Sequence, residues 1–139
     1  MPALTPFITF IAQERRRNKL SYAHALYGLS QRLIDAILTS PGETDPTLRR
    51  AIEEQSAQWS SSSPQQVEQV PPELVTYVKK VALYAYKTTE EDIEALRRAG
   101  YDEDAIFEIT LSAALGAGMT RLERGLAALK GDTDASQKD

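Results

Sequence analysis

The stretch from Asp102 to Gly131 constrains this chain more than any other part of it. Asp102 is a helix cap and Gly131 a helix stop, so the residues from about Glu103 to Lys130 are expected to form one long helix. Leu111, Ala113, Ala114, Leu115 and Ala117 leave the middle of that helix apolar nearly all round, and such a helix must be surrounded by protein. Gly116 and Gly118 each cost ~1 kcal/mol in a helix interior relative to alanine, so something must offset them. Thr110, Ala114 and Gly118 lie four apart, a strip of small residues that permits a close helix approach. Two readings of that strip stay open: an oligomer interface, or tight packing inside one subunit.

Helix signals recur elsewhere, while alternating patterns joined by tight hairpin turns do not appear, which predicts an all-α fold. Thr5-Pro6 opens a first helix with Leu4, Phe7, Ile8 and Ile11 on one side. A second, from about Leu20 to Thr39, carries Tyr22, Leu26, Leu29, Leu33 and Ile37 as its stripe and ends at Pro41-Gly42. Asp45-Pro46 opens a third that runs to about Trp59. The Ser- and Gln-rich run from Ser60 has too little apolar content to pack and reads as a flexible connector. Pro71-Pro72 restarts order, with Leu74, Val75, Val78, Val81, Ala82 and Ala85 as a helical face. Thr88-x-x-Glu91 has the form of a capping box for the next helix, which Gly100 stops. The expected organisation is an N-terminal helical arm over 1–59, a connector over 60–70, a helical core over 71–131 and a disordered tail over 132–139.

At 139 residues the chain is long enough to bury a core without staples. Its net charge of -4 argues against nucleic acid or an anionic membrane as a partner, and no apolar stretch approaches the ~20 residues of a membrane span. The N-terminal segment runs apolar first and basic second, the reverse of a secretory signal, so a cytoplasmic protein is expected. The sequence contains no cysteine, which rules out disulfides and thiolate metal sites. His24 is the single histidine, and one histidine makes neither a metal cluster nor a catalytic triad. No cofactor and no metal is expected. Arg15-Arg16-Arg17-Asn18-Lys19 suits phosphate or RNA, but on an acidic chain without matching aromatics it reads as a solvated helix end.

Gly100-Tyr101-Asp102-Glu103-Asp104-Ala105-Ile106-Phe107-Glu108 carries a more specific signal: a glycine-ended helix, an acidic cap, A-I-F-E, then an Ala/Gly-rich helix. Within Thr88 to Leu129 this pattern resembles the carboxymuconolactone decarboxylase and alkylhydroperoxidase D-like superfamily, with a weaker likeness over Leu38 to Ala51. Active peroxidases of that superfamily read E-x11-C-x-x-C-x3-H, the histidine eight residues before the helix-ending glycine. Counting back from Gly100 puts the histidine slot at Asp92, the cysteine slots at Thr88 and Ala85, and the glutamate slot at Glu73. Only the glutamate is retained. Neither a methyl group nor an alcohol replaces a thiolate in peroxide reduction, so the resemblance implies the architecture without the redox chemistry. The superfamily's habit of forming trimers and hexamers favours a homo-oligomer.

Two functions follow as expectations: a scaffold that binds or interacts without catalysis, or a thiol-independent small-molecule enzyme of the carboxymuconolactone decarboxylase type. The second needs acid/base and anion-holding groups, for which Glu73, Lys80, Tyr84, Asp92 and Glu108 are the candidates. Glu73, Tyr77, Lys80, Tyr84 and Lys87 recur at helical spacing and would line a pocket for an acidic or phenolic small molecule, or else form a solvated face. Glu108 stands in line with an apolar stripe through Leu115 and Met119, as a carboxylate of raised pKa or as the partner of a neighbouring helix end.

Overall fold

A computed structural model describes residues 5–61 and 69–131, and these form helices and their connections with no strand among them. The helices are α1 (Thr5–Thr39), α2 (Pro46–Trp59), α3 (Pro72–Leu83), α4 (Glu90–Arg98) and α5 (Glu103–Lys130), with a single 3-10 turn, Ala85–Lys87, after α3. The protein is all-α. It divides into two compact units, residues 1–35 and 36–139.

The first unit is the N-terminal part of α1. Two helices were expected here, and one continuous helix is found. The basic run at 15–19 contains good helix formers and no breaker, so nothing interrupts the backbone hydrogen bonds. Ile8, Tyr22, Leu26 and Leu29 are exposed on it.

The second unit holds α2 to α5 and begins at Ala36, so it takes in α2, which the sequence groups with the arm. Ala51 and Ile52 of α2 join Leu74, Tyr77 and Val78 of α3, Leu96 of α4, and Ile106, Ile109 and Ala113 of α5 in one core. Ile52, Leu74, Val78 and Ile109 are fully buried, each contributing roughly 1.5–3 kcal/mol from the surface withdrawn from water. Val70 also belongs to this core, so order resumes ahead of the expected connector end; residues 62–68 of that connector lie outside the described residues. So does the expected tail from 132.

α5 packs against α2, α3 and α4, as its apolar middle requires. A close approach to α2 lies at Gly116, where a methyl group would collide with the Glu53 carbonyl and lie 3.1 Å from the Ala57 nitrogen. The strip Thr110, Ala114, Gly118 is not that contact: Ala114 and Gly118 are exposed, and a methyl group at Gly118 would meet nothing within 4 Å. The residues that let α2 approach α5 are one helical step away, because the core face of α5 is set by Ile109, Ala113 and Gly116 at spacings of four and three.

Local signals fix the helix ends. Asp45 accepts the Thr47 N–H (2.7 Å) ahead of Pro46, and Asp102 accepts the Ala105 N–H (2.8 Å). Gly100, at φ 102°, closes α4 with the Tyr101 N–H bonded to the Leu96 carbonyl (3.1 Å) and its own N–H to the Arg97 carbonyl (3.0 Å). This pair of hydrogen bonds requires a left-handed residue, and Tyr101 packs against the core cluster that includes Leu96. The capping box of α4 is displaced by one residue from the expected Thr88 and Glu91 to Thr89 and Asp92. Thr88 instead donates its N–H to the Ala85 carbonyl (3.1 Å) and finishes the 3-10 turn. That turn also takes Ala85 out of the α3 stripe and into solvent.

Candidate functional site

Three polar arrangements among the described residues involve the candidate groups. The first joins α3 to α4. Lys80, in the last turn of α3, donates to both oxygens of Asp92 (2.7 and 3.0 Å). Asp92 is also the third residue of α4, and its Oδ2 accepts the Thr89 N–H (2.9 Å) and hydroxyl (3.3 Å). The Lys80 ammonium, then the Thr89 N–H, hold the Asp92 carboxyl below its ordinary pKa. A carboxylate at a helix N-terminus is favoured by the dipole as well. The Asp92 carboxyl therefore stays ionised at neutral pH, bonded to Lys80 and Thr89.

The second arrangement grips the loop between α1 and α2. Glu108, in the second turn of α5, accepts the Glu43 N–H (2.9 Å), the Thr44 N–H (2.7 Å) and the Thr44 hydroxyl. Gly42 leaves room for this grip, since a methyl group on it would push the Glu108 carboxylate out of its present position. Burial pushes the Glu108 pKa up, but the Thr44 side chain and N–H, the Glu43 N–H and the Arg49 charge together outweigh it and leave it lowered. Arg49 lies beneath the same loop, only 3 % exposed, and donates to the carbonyls of Ile37, Ser40 and Thr44. It thereby satisfies the open carbonyl end of α1 within this unit.

The third arrangement is lighter. The Tyr101 hydroxyl donates to Glu73 (3.0 Å), an exposed residue of the first turn of α3. Burial, then this bond and the Glu73 charge, raise the Tyr101 pKa. Nearby in sequence, Tyr77 is buried rather than on a polar face, and its hydroxyl bonds Thr110 (2.6 Å).

Of the five candidates, Lys80 and Asp92 are brought together. Glu108 and Glu73 each have other partners, and Tyr84 is exposed at the end of α3 with the Lys87 ammonium 4.9 Å from its ring. Ala85 opens the 3-10 turn and Thr88 follows it, and the slot that the resemblance gives to a histidine holds the carboxylate bound to Lys80. His24 is exposed on α1. Arg49 was not singled out from the sequence, although it shares a helix face with Ile52 and Ser56, and a cation on an apolar face is the signal that would have found it. Among the described residues no group of acidic or histidine side chains is disposed to hold a metal ion, and no helix is long and apolar enough to cross a membrane.

Compared with known proteins, the chain matches no family model, no curated protein and no solved structure. The resemblance over Thr88 to Leu129, and the weaker one over Leu38 to Ala51, rests on the sequence alone.

Proposed function

We propose that this protein is an alkylhydroperoxidase D-like helical scaffold without redox activity, acting through binding and interaction rather than by turning over a substrate. The observation that carries this reading is the use made of the candidate acids. Asp92 caps α4 while neutralising Lys80, and Glu108 receives three hydrogen bonds from the loop ahead of α2. A general acid or base at neutral pH needs a pKa near 7, and both carboxyls are displaced the other way. The absence of cysteine removes the thiolate that peroxide reduction requires.

The second reading, a thiol-independent enzyme of the carboxymuconolactone decarboxylase type, is supported by the Lys80–Asp92 pair, the one place where a cation and a carboxylate from the candidate set meet. A thermal-shift screen against small carboxylic and phenolic compounds separates the two. The scaffold reading predicts that no compound is consumed, and that any compound raising the melting temperature of the native protein raises that of Lys80→Met equally. A compound that is consumed by the native protein and spared by Lys80→Met would establish the enzyme instead.

A further inference from the structure

The outward side of α5 is apolar, and its layout is the same read from either end. Phe107, Leu111, Ala114, Gly118, Leu122, Gly125 and Leu129 follow one another at steps of 4, 3, 4, 4, 3 and 4 residues, symmetric about Gly118. At about 100° per residue they form one narrow band opposite Ile109, Ala113 and Gly116, which face the core. Phe107 is 65 % exposed, Leu122 39 % and Leu129 78 %, and the three small residues between are exposed too. Glycine is the least favourable helix-interior residue after proline, and a methyl group at either Gly118 or Gly125 would meet nothing within 4 Å. Packing among the described residues therefore gives no reason for either glycine.

We propose that a second copy of this chain covers this band, its α5 lying antiparallel to the first and crossing it at Gly118 on a two-fold axis. Such an axis pairs Phe107 with Leu129, Leu111 with Gly125, and Ala114 with Leu122 of the partner helix, and brings the two Gly118 backbones together. A large side chain thus meets a glycine or alanine on either side of the crossing, and two large ones close each end, as a self-complementary interface demands. The contact runs for about 33 Å at 1.5 Å per residue. The spacing selects the direction: a parallel pair on the same band would set Leu111 against Leu111 and Leu122 against Leu122, whereas the antiparallel pair sets Leu111 and Leu122 against Gly125 and Ala114.

This dimer gives the interaction reading a partner, yet it does not depend on the missing thiol chemistry. Peroxide turnover would overturn that reading and leave the dimer standing, and a monomeric protein would do the reverse. A cysteine-free chain makes the test direct. Sedimentation of the native protein should give a dimer that Gly118→Arg converts to a monomer of unchanged helicity. Under mild oxidation Gly118→Cys should cross-link to itself, whereas Phe107→Cys and Leu129→Cys should cross-link only when mixed. The proposal is overturned by a native protein that stays monomeric as concentration rises, by Phe107→Cys linking to itself as well as to Leu129→Cys, or by equal linking of the exposed control Glu90→Cys.

Discussion

Charged side chains in this body hold backbone ends. Asp92 occupies the start of α4, Arg49 the end of α1, Asp102 the start of α5 and Glu108 the N–H groups that lead into α2. Arg121 does the same for α3, donating to the Ala82 carbonyl (2.7 Å). Truncating Glu108 to alanine leaves two N–H groups and a hydroxyl without their acceptor, and should cost ~1–3 kcal/mol in a denaturant titration. The pH dependence follows from the lowered carboxyls. A folded pKa below the unfolded one contributes stability that is fully present above the unfolded value, about 4, and is lost as pH falls through the folded value. Acid titration of the melting temperature should therefore be shallower in Asp92→Asn and in Glu108→Gln than in the native protein. Glu53, raised by burial and by the charges of Glu54 and Glu123, opposes them: its ionisation destabilises the fold as pH rises. The capping roles of Asp45 and Asp102 were legible in the sequence because a cap acts on residues two or three away. The partners of Arg49, Glu73 and Glu108 were not, since those bonds, from Arg49 to Ile37 up to Glu108 to Glu43, depend on how the chain returns on itself.

Helix existence was readable at every position of the body, because each apolar face repeats at the helical period. The errors are of one step or one helix. The α4 box moved by one residue because Thr88 is taken by the 3-10 turn, and the small-residue strip was placed beside the true contact because alanines and glycines on several faces of α5 look alike without a partner. Gly116→Leu should destabilise the protein by ~1–3 kcal/mol or more through overpacking against the α2 backbone. Gly118→Leu, meeting open space, should leave the stability of the isolated chain unchanged or slightly raised and alter only its association; equal destabilisation by both, measured by urea unfolding in dilute solution, would contradict the assignment of faces. The 3-10 turn offers a test of the slot alignment. Side chains three apart nearly eclipse in such a turn, so Ala85→Cys with Thr88→Cys should close a disulfide on mild oxidation, read by free-thiol titration. Persistent free thiols would remove the correspondence of these two positions with the family's cysteines.

At the scale of the whole molecule, the body from Ala36 onward is a core built around α5, with polar groups at its helix junctions and an apolar outward band. Helical periodicity announced the helical class and the absence of cysteine the lack of thiol chemistry, whereas the extent of the body was hidden because α2 is separated from α3 by a stretch with no packing signal. What sets this chain apart from a peroxidase of the superfamily it resembles is chemical. Counted back from Gly100, the positions that the resemblance would give to two thiols hold a methyl group and an alcohol, and the one it would give to a histidine holds a carboxylate bound to lysine. The proposed role rests on surfaces rather than on a reactive centre. The most direct test is consumption of an organic hydroperoxide by the purified native protein in the presence of a dithiol reductant. The rate should equal that of reductant alone, and protein-dependent, saturable turnover would contradict the account.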